Sequence, residues 1–555
     1  MRLTRTIVAA MFLVFAAIAL ASSVHAQCEP FEGSKLMDYD RSGFIDALDL
    51  NAQIDQLFFG GRASVIGVGD FNGDGAADAL DLNDMIDLLF FGGPLPSVPR
   101  TVILKGRVGA GSWYLMNDPL VQYQVGDDAA GIFSIGEDGP YQELMQGDCD
   151  KTDSLYVPYG LHIQGSPSIA NPSAFIVRRT GWCHMVGLPN DPVVLTSSFP
   201  VGQRARGDWG GMVINGCACN NNASNPLGAY VFETEGDGGI GGGEIEDDNS
   251  GCYRYLRVEF AGRQFFADNE LNGITVTSVG NGTTMDHIQV NQNFDDGIEW
   301  FGGTVSVHHF IVSGIGDDGF DSDYGARWKG QYLIVVQDPI TGPTSDNHNG
   351  FEWDNEATAP YQDAPRMKPT IWNATLVGAD CNLVLARHDG AHIRRGADAD
   401  IHNTVWTKFK SALEYDDPTA WDNQTWGPGC HDITAEANPD ARIEIHSSIW
   451  YDCGNRSGNS TDANESPVLD DATNTLVIGC GNPEILNQVS DYGQVGSPLD
   501  FRPIPGDPQG IGINTAGDAP PADGFFDPAG ANFKGALQEN DPSPWYLGWT
   551  DFSID

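Results

Sequence analysis

Two stretches near the N-terminus carry oxygen side chains at one repeating spacing. Asp38, Asp40, Ser42, Asp46 and Asp49 stand at positions 1, 3, 5, 9 and 12 of the first, with Gly43 at position 6. Asp70, Asn72, Asp74, Asp78 and Asp81 repeat the pattern in the second, with Gly75 at position 6. Hard oxygen donors at these intervals wrap a calcium ion, because glycine permits the sharp turn and a backbone carbonyl serves at position 7. Phe44 and Ala76 occupy that position. The twelve residues are therefore expected to ligate calcium, the one cofactor the sequence implies. Position 12 holds Asp where Glu is usual. An Asp-rich turn pair would explain the oxygens. It would not explain the apolar helical stretch after each loop, which ends both times in Phe-Phe-Gly-Gly, at 58–61 and 90–93.

A second set of carboxylates recurs further along. Asp295-Asp296-Gly297-Ile298-Glu299-Trp300 is followed 22 residues later by Asp317-Asp318-Gly319-Phe320-Asp321. Asn349-Gly350-Phe351-Glu352-Trp353-Asp354, Ala391-His392-Ile393-Arg394 and Ser411-Ala412-Leu413-Glu414-Tyr415-Asp416 continue the series. Some twenty residues is one coil of a parallel β-helix, in which equivalent residues stack about 4.8 Å apart. The pattern predicts an inward apolar ladder of Ile298, Phe320, Phe351, Ile393 and Leu413. It predicts an outward column of Glu299, Asp321, Glu352, Arg394 and Glu414. Carboxylates stacked at that distance repel, so they must protonate or share a cation. Three uses fit: a calcium site or solvated ladder with Asp-Gly corners, a carbohydrate groove with Trp300, Trp353 and Tyr415 as stacking platforms, or a catalytic pair.

The elements around these residues read as mainly β. From Thr101 onward short β-branched and aromatic runs alternate with Gly, Asn and Asp clusters, and long helical periodicity is missing. Examples are Leu256–Phe260, Ile274–Thr277, His287–Val290, Phe310–Val312, Leu333–Val336, Ala374–Val377 and Ile443–Ile449. His308-His309 lies in such a run, so strand alternation predicts one histidine inward and one outward. Gly236 to Gly243 is flanked by Glu233, Glu235, Asp237 and Glu244, which would repel phosphate, and reads as a flexible or calcium-touched loop.

Charge and processing signals bound the partners and the compartment. The chain of 555 residues has 29 Lys+Arg against 76 Asp+Glu, a net charge of -47. Such a surface repels nucleic acid and anionic membranes. Arg2 and Arg5 precede an apolar run from Ile7 to Ala21, and Val24-His25-Ala26 fits a cleavage site, so residues 1–26 read as a secretory signal peptide. No later stretch reads as a membrane span. All ten cysteines lie beyond it, and an oxidising compartment favours disulfides. Cys217 and Cys219 with Cys252, and Cys453 with Cys480, are candidate staples. No paired C-x-x-C motif supports zinc.

Two family resemblances rest on these residues. The tandem loop-plus-helix units are similar to the EF-hand type dockerin module, which implies docking to a cohesin-like or other extracellular protein. Both loops nonetheless carry Ala-Leu at positions 10 and 11 (Ala47-Leu48, Ala79-Leu80), where dockerins commonly place polar partner-reading residues. A bacterial secreted family with a pectin-lyase-like right-handed parallel β-helix is resembled by five further segments. These are Pro200–Gly211, Asp247–Gly251 leading into Arg254–Arg257, Asn269–Gly273, Gly282–Ile288 and Asp296–Gly303, joined by Phe533–Ala536 and Gly548–Thr550. Pectin-lyase-like enzymes use paired acids for hydrolysis or calcium with an Arg base for elimination, and Asp296, Asp318 and Arg394 suit either scheme. Arg387-His388-Asp389-Gly390 is a distant echo of the hydrolase signature.

The resulting expectation is a mainly β chain. It comprises a dockerin-like calcium domain over 27–93, a linker over 94–100, a right-handed parallel β-helix over 101–500, and a C-terminal segment over 501–555 that packs on or caps the helix. The linker makes the calcium loops an appendage. Three functions fit: a secreted calcium-binding protein that docks and binds or displays itself on extracellular polysaccharide or a cell surface, a polysaccharide lyase or O-glycosyl hydrolase, and a structural or adhesive surface protein.

Overall fold

The computed structural model describes residues 28–555, apart from 75, 139–148, 224–229, 267–268, 360, 362, 417–424, 427–432, 435–442, 459–462, 490–491 and 493–498. The expected signal peptide lies outside the described residues. Successive coils stack into two long parallel sheets. One has ten strands, from Gly106–Val108 to Glu414–Tyr415, and the other has seventeen. Parallel pairing with both faces buried asks for near-continuous apolar strands, and the central ones, Ala174–Val177, Met212–Asn215 and Ile274–Thr277, are buried at every position.

The inner space is filled by stacked side chains. Trp300 lies flat on Trp328 at 4.1 Å between ring centroids, Trp406 on Trp450 at 4.8 Å, and Phe320 meets Phe351 edge-on at 6.0 Å. Trp300 and Trp353 are fully buried, which removes them as sugar-stacking platforms, and Tyr415 is buried as well.

Four successive coils enter the ten-stranded sheet through the same corner. Gly297, Gly319, Gly350 and Gly390 donate their N–H to the carbonyls of Asp318, Asn349, Asp389 and Ser411, at 2.9–3.1 Å. A Cβ on Gly319 would come within 2.5 Å of the Gly350 carbonyl oxygen, and one on Gly350 equally close to that of Gly390. This close approach of neighbouring backbones explains the repeated Asp/Asn-Gly pairs.

The long strands of the larger sheet bend at a second corner. Tyr255, His287, His309, Tyr332, Asn373, Asn403 and Ser447 all have φ between 47° and 61°. A left-handed residue inside a strand breaks the alternation of side chains. His308 and His309 consequently are both half-buried outside the core, not one in and one out. The expected run Ile443–Ile449 divides for the same reason into Ile443–His446 and Ile449–Cys453, on either side of Ser447.

The N-terminal loop region and the C-terminal segment both cover the coil stack. Leu36, Met37, Tyr39, Leu50, Val65, Val68, Phe71, Leu82 and Met85 share one core with Leu104, Leu115, Met116 and Tyr123 of the first coils. Backbone bonds tie the two, Ile66 N–H to Tyr114 O and Tyr114 N–H to Ser64 O, both 2.9 Å, and Tyr123 Oη donates to Ile66 O at 2.9 Å. The loop region is thus a cap on the open end of the stack and not a tethered appendage. An uncapped coil would expose its apolar interior. The C-terminal segment lies along the larger sheet, where Leu486, Leu499, Phe501, Leu537 and Tyr546 cover Ile311, Ile334, Val377, Val405 and Ile449.

Disulfides join parts far apart in sequence: Cys28–Cys252, Cys149–Cys217 and Cys381–Cys480. Cys217 and Cys252 therefore pair outside their expected group, and Cys480 bonds Cys381 instead of Cys453. Coil stacking brings these partners together across separations of 224, 68 and 99 residues. Cys183 and Cys453 are buried thiols.

Trp300→Ala should lower unfolding stability by about 3–5 kcal/mol, since it deletes a stacked and fully buried indole. The urea midpoint of the full chain checks this.

Candidate functional site

Strand register decides which charges meet. Thr275, Glu299, Asp321, Glu352, His392 and Glu414 occupy one rung position in successive coils of the ten-stranded sheet. The expected column is therefore correct for Glu299, Asp321, Glu352 and Glu414 but not for Arg394. His392 stands in its place, and Arg394 aligns with Asp354, two residues on. The inward ladder shifts alike, with Ala391 on Phe351 and Ile393 on Trp353. A shift of two residues keeps every side chain on its face, so the apolar pattern cannot detect it.

The column falls into two electrostatic halves. From Glu352 onward each carboxylate has a cation. Glu352 and Asp354 bracket Arg394, whose Nε lies 2.6 Å from Asp354 Oδ1, and Arg395 adds Nη1 at 2.7 Å from Asp354 Oδ2. His392 reaches Glu352 at 3.6 Å and Asp416 at 3.4 Å, and Arg387 reaches Glu414 and Asp416 at 3.6 and 3.2 Å. Before Glu352 the picture reverses. Asp295, Asp296 and Asp317 bring carboxylate oxygens within 4.8 Å of one another, and so do Asp296, Glu299 and Asp321. None of these five forms a salt bridge among the described residues. Asn272 Nδ2 donates to Glu299 Oε2 at 2.6 Å, and Asn349 Nδ2 to Glu352 Oε2 at 2.7 Å.

Protonation follows this division. Burial, then the neighbouring carboxylates, raises Asp295, Asp296, Glu299 and Asp321 well above the usual range, and pushes Asp317 to about 7. Glu235, half-buried near Glu270, is also raised to about 7, first by its partial burial and then by Glu270. Burial would raise Glu352 too, but His392 and Arg394 outweigh it and hold Glu352 at about 2. His392 is lifted to about 9 against its burial by Asp416 and Glu352.

The three candidate catalytic residues have other tasks. Asp296 Oδ1 accepts the Asp318 N–H at 2.8 Å, Asp318 Oδ1 accepts the Asn349 N–H, and Asn349 Oδ1 accepts the Asp389 N–H at 2.9 Å. Asp296 and Asp318 are thus buried members of the corner ladder. Arg394, pinned between Glu352 and Asp354, is held above the ordinary guanidinium value despite its burial, the opposite of what a base needs. His388 is buried, bonds Gln337 at 2.7 Å and is pushed down to about 3, so the echo of the hydrolase signature belongs to the corner as well.

The N-terminal loops are organised around their acidic residues. Asp38, Asp40 and Asp49 converge within 4.8 Å, and Asp38 accepts the N–H of Ser42 and Gly43 at 2.9 and 3.0 Å. Asp46 caps the helix Ala47–Ile54, and Asp78 caps Ala79–Ile86, each in a capping box with Asp49 or Asp81. In the second loop Asp70 accepts from Gly73 and Asp74, Asn72 from Asp74, and Arg100 lies 3.5 Å from Asp70. No group of three carboxylates converges there among the described residues. The carbonyls of Phe44 and Ala76 stand at position 7. Helical turns over Asp55–Phe59 and Asp87–Phe91 end at left-handed Gly60 and Gly92, which accounts for the repeated Gly.

The model of a pectate-lyase-like β-helix domain matches residues 146–441, more than half of the chain. The chain belongs to this family. No curated protein and no solved structure matches it. The matched span of this pectate-lyase-like chain contains the whole acidic column, the first set of corners and the second set up to Asn403. No described helix is long and apolar enough to cross a membrane.

Two outcomes test the assignments. Asp318→Asn should fold with stability near wild type, since the amide oxygen still accepts the Asn349 N–H, whereas Asp318→Ala should cost about 1–3 kcal/mol. A carboxyl raised on folding contributes stability that is present below its unfolded value, about 4, and is lost as pH rises through its folded value. Asp317→Asn should therefore raise the calcium-free melting temperature at pH 8 and leave it unchanged at pH 4. Melting curves at the two pH values check this.

Proposed function

We propose that this is a secreted protein whose β-helix binds polysaccharide through a divalent cation held on the acidic column, and whose calcium-loaded cap docks it to an extracellular partner. The observation that supports the carbohydrate part is the column half formed by Asp295, Asp296, Glu299, Asp317 and Asp321. Five crowded carboxyls that form no salt bridge among the described residues take up either protons or a metal ion, and calcium, with its preference for several oxygens, suits them. A cation held there offers open positions to sugar hydroxyls or carboxylates, and a pectate-lyase-like fold agrees with such a ligand.

Docking is supported by the exposed apolar residues of the cap. Phe58, Phe59, Phe90 and Phe91 are 60–77 % exposed, and Leu48 and Leu80 about as much. The two units contribute matched sets, an apolar surface of the kind that marks an interaction site. Leu48 and Leu80 occupy loop position 11, so apolar contact takes the place of polar partner reading. A cohesin-like or other extracellular protein with an apolar face fits this surface. The disulfides agree with secretion.

A polysaccharide lyase or O-glycosyl hydrolase is the second reading, favoured by one feature. Asp321, raised by burial, and Glu352, held ionised, sit on adjacent rungs, and the strand spacing of about 4.8 Å is close to the carboxyl separation of about 5 Å in retaining glycosidases.

Binding of acidic and neutral polysaccharides should require calcium and fall at least tenfold in Glu299→Gln/Asp321→Asn, measured by affinity electrophoresis. Calcium-independent binding that survives the double variant would refute the cation-bridged site. Release of reducing ends or unsaturated uronides, abolished by Glu352→Gln, would establish the enzyme. Chelator should expose 38–91 to proteolysis while most of the coil stack stays intact, because ligation supplies the cap's missing core energy.

A further inference from the structure

We propose that Asp286, His287 and His309 form a transition-metal site, for copper(II) or zinc(II), on the larger sheet and separate from the oxygen-only acidic sites. The site is built by the second corner. His287 and His309 occupy equivalent left-handed positions in adjacent coils, with φ of 54° and 50°. The turn sends both imidazoles outward, and they stack at 4.2 Å between centroids. Asp286 Oδ1 lies 2.8 Å from Nδ1 of each ring, and the three atoms lie within 4.8 Å of one another. Arg254 engages the other carboxylate oxygen, Asp286 Oδ2, at 3.3 Å, which leaves Oδ1 to the histidines.

Two imidazoles and one carboxylate are the wrong donors for calcium and suit copper or zinc. Without a metal each Nδ1–H donates to Oδ1. A metal ion needs only that each neutral ring carry its proton on Nε2, which turns both Nδ1 lone pairs toward the ion with no change of charge.

The surroundings enclose the cluster. Tyr255 packs on His287 at 4.5 Å and Tyr332 on His309 at 5.0 Å. Trp545 and Trp549 from the C-terminal segment close over the rings edge-on, at 5.1 and 5.8 Å. Asp286 and Arg254 also line a cavity of about 740 Å³ with Thr284, Ser306, His308 and Lys329. That volume accommodates a small organic ligand beside the ion.

Electron paramagnetic resonance of the full chain, loaded with calcium and then with one equivalent of copper(II), tests the proposal. Coupling to two imidazole nitrogens is expected, falling to one in His309→Gln. An oxygen-only spectrum, or two nitrogens retained in His309→Gln, overturns it. Protection from diethylpyrocarbonate needs no variant. One equivalent of zinc should shield His287 and His309 of the wild-type chain, and shielding of any other histidines in their stead equally overturns the proposal.

Discussion

Everything distinctive about this molecule comes from stacking equivalent residues one strand spacing apart. Coil stacking buries a continuous column of aromatic and aliphatic side chains, and that burial is large enough to force unfavourable neighbours together on the outside. Glu299 lies over Asp321, and Asp321 over Glu352, because Ile298, Phe320 and Phe351 stack beneath them. The repulsion is answered in two ways. Arg394, Arg395, His392 and Arg387 neutralise the carboxylates from Glu352 onward, whereas those before it are left to protons or an ion.

The same rule builds the other features. Corner ladders arise because identical turns repeat at each coil, so Asp296, Asp318 and Asn349 pass one hydrogen bond along the stack. The second corner repeats a left-handed residue and thereby lines up Tyr255, His287, His309 and Tyr332 outside the core. The ends of such a stack need covering, and the N-terminal loop units supply apolar side chains to the first coil. Because the loop units share that core, the calcium binding proposed for them would be coupled to the integrity of the coil end.

Much of this is legible in the residues. Parallel β architecture, the Asp-Gly corners and the column of Glu299, Asp321, Glu352 and Glu414 emerge from a repeat whose period matches one coil. The features that escape a sequence reading have common physical causes. Arg394 reads as a member of the column because a two-residue slip leaves the alternation intact. His308 and His309 read as facing opposite ways because a left-handed strand residue has no signature when its type is not Gly. Trp300 and Trp353 look like platforms because aromatic residues serve cores and sugar sites equally, and only burial separates the two. Cysteine partners are set by which coils touch, which spacing along the chain does not record. The acidic ladder can be seen in the sequence. Its division into a neutralised and an uncompensated half cannot.

That uncompensated half is where a divalent cation should sit. Crystals grown with calcium, with data collected where calcium scatters anomalously, would locate it. A peak is expected among Asp296, Glu299 and Asp321, besides those in the N-terminal loops. Peaks in the loops with none at the column would contradict the cation-bridged site and leave the five carboxyls protonated.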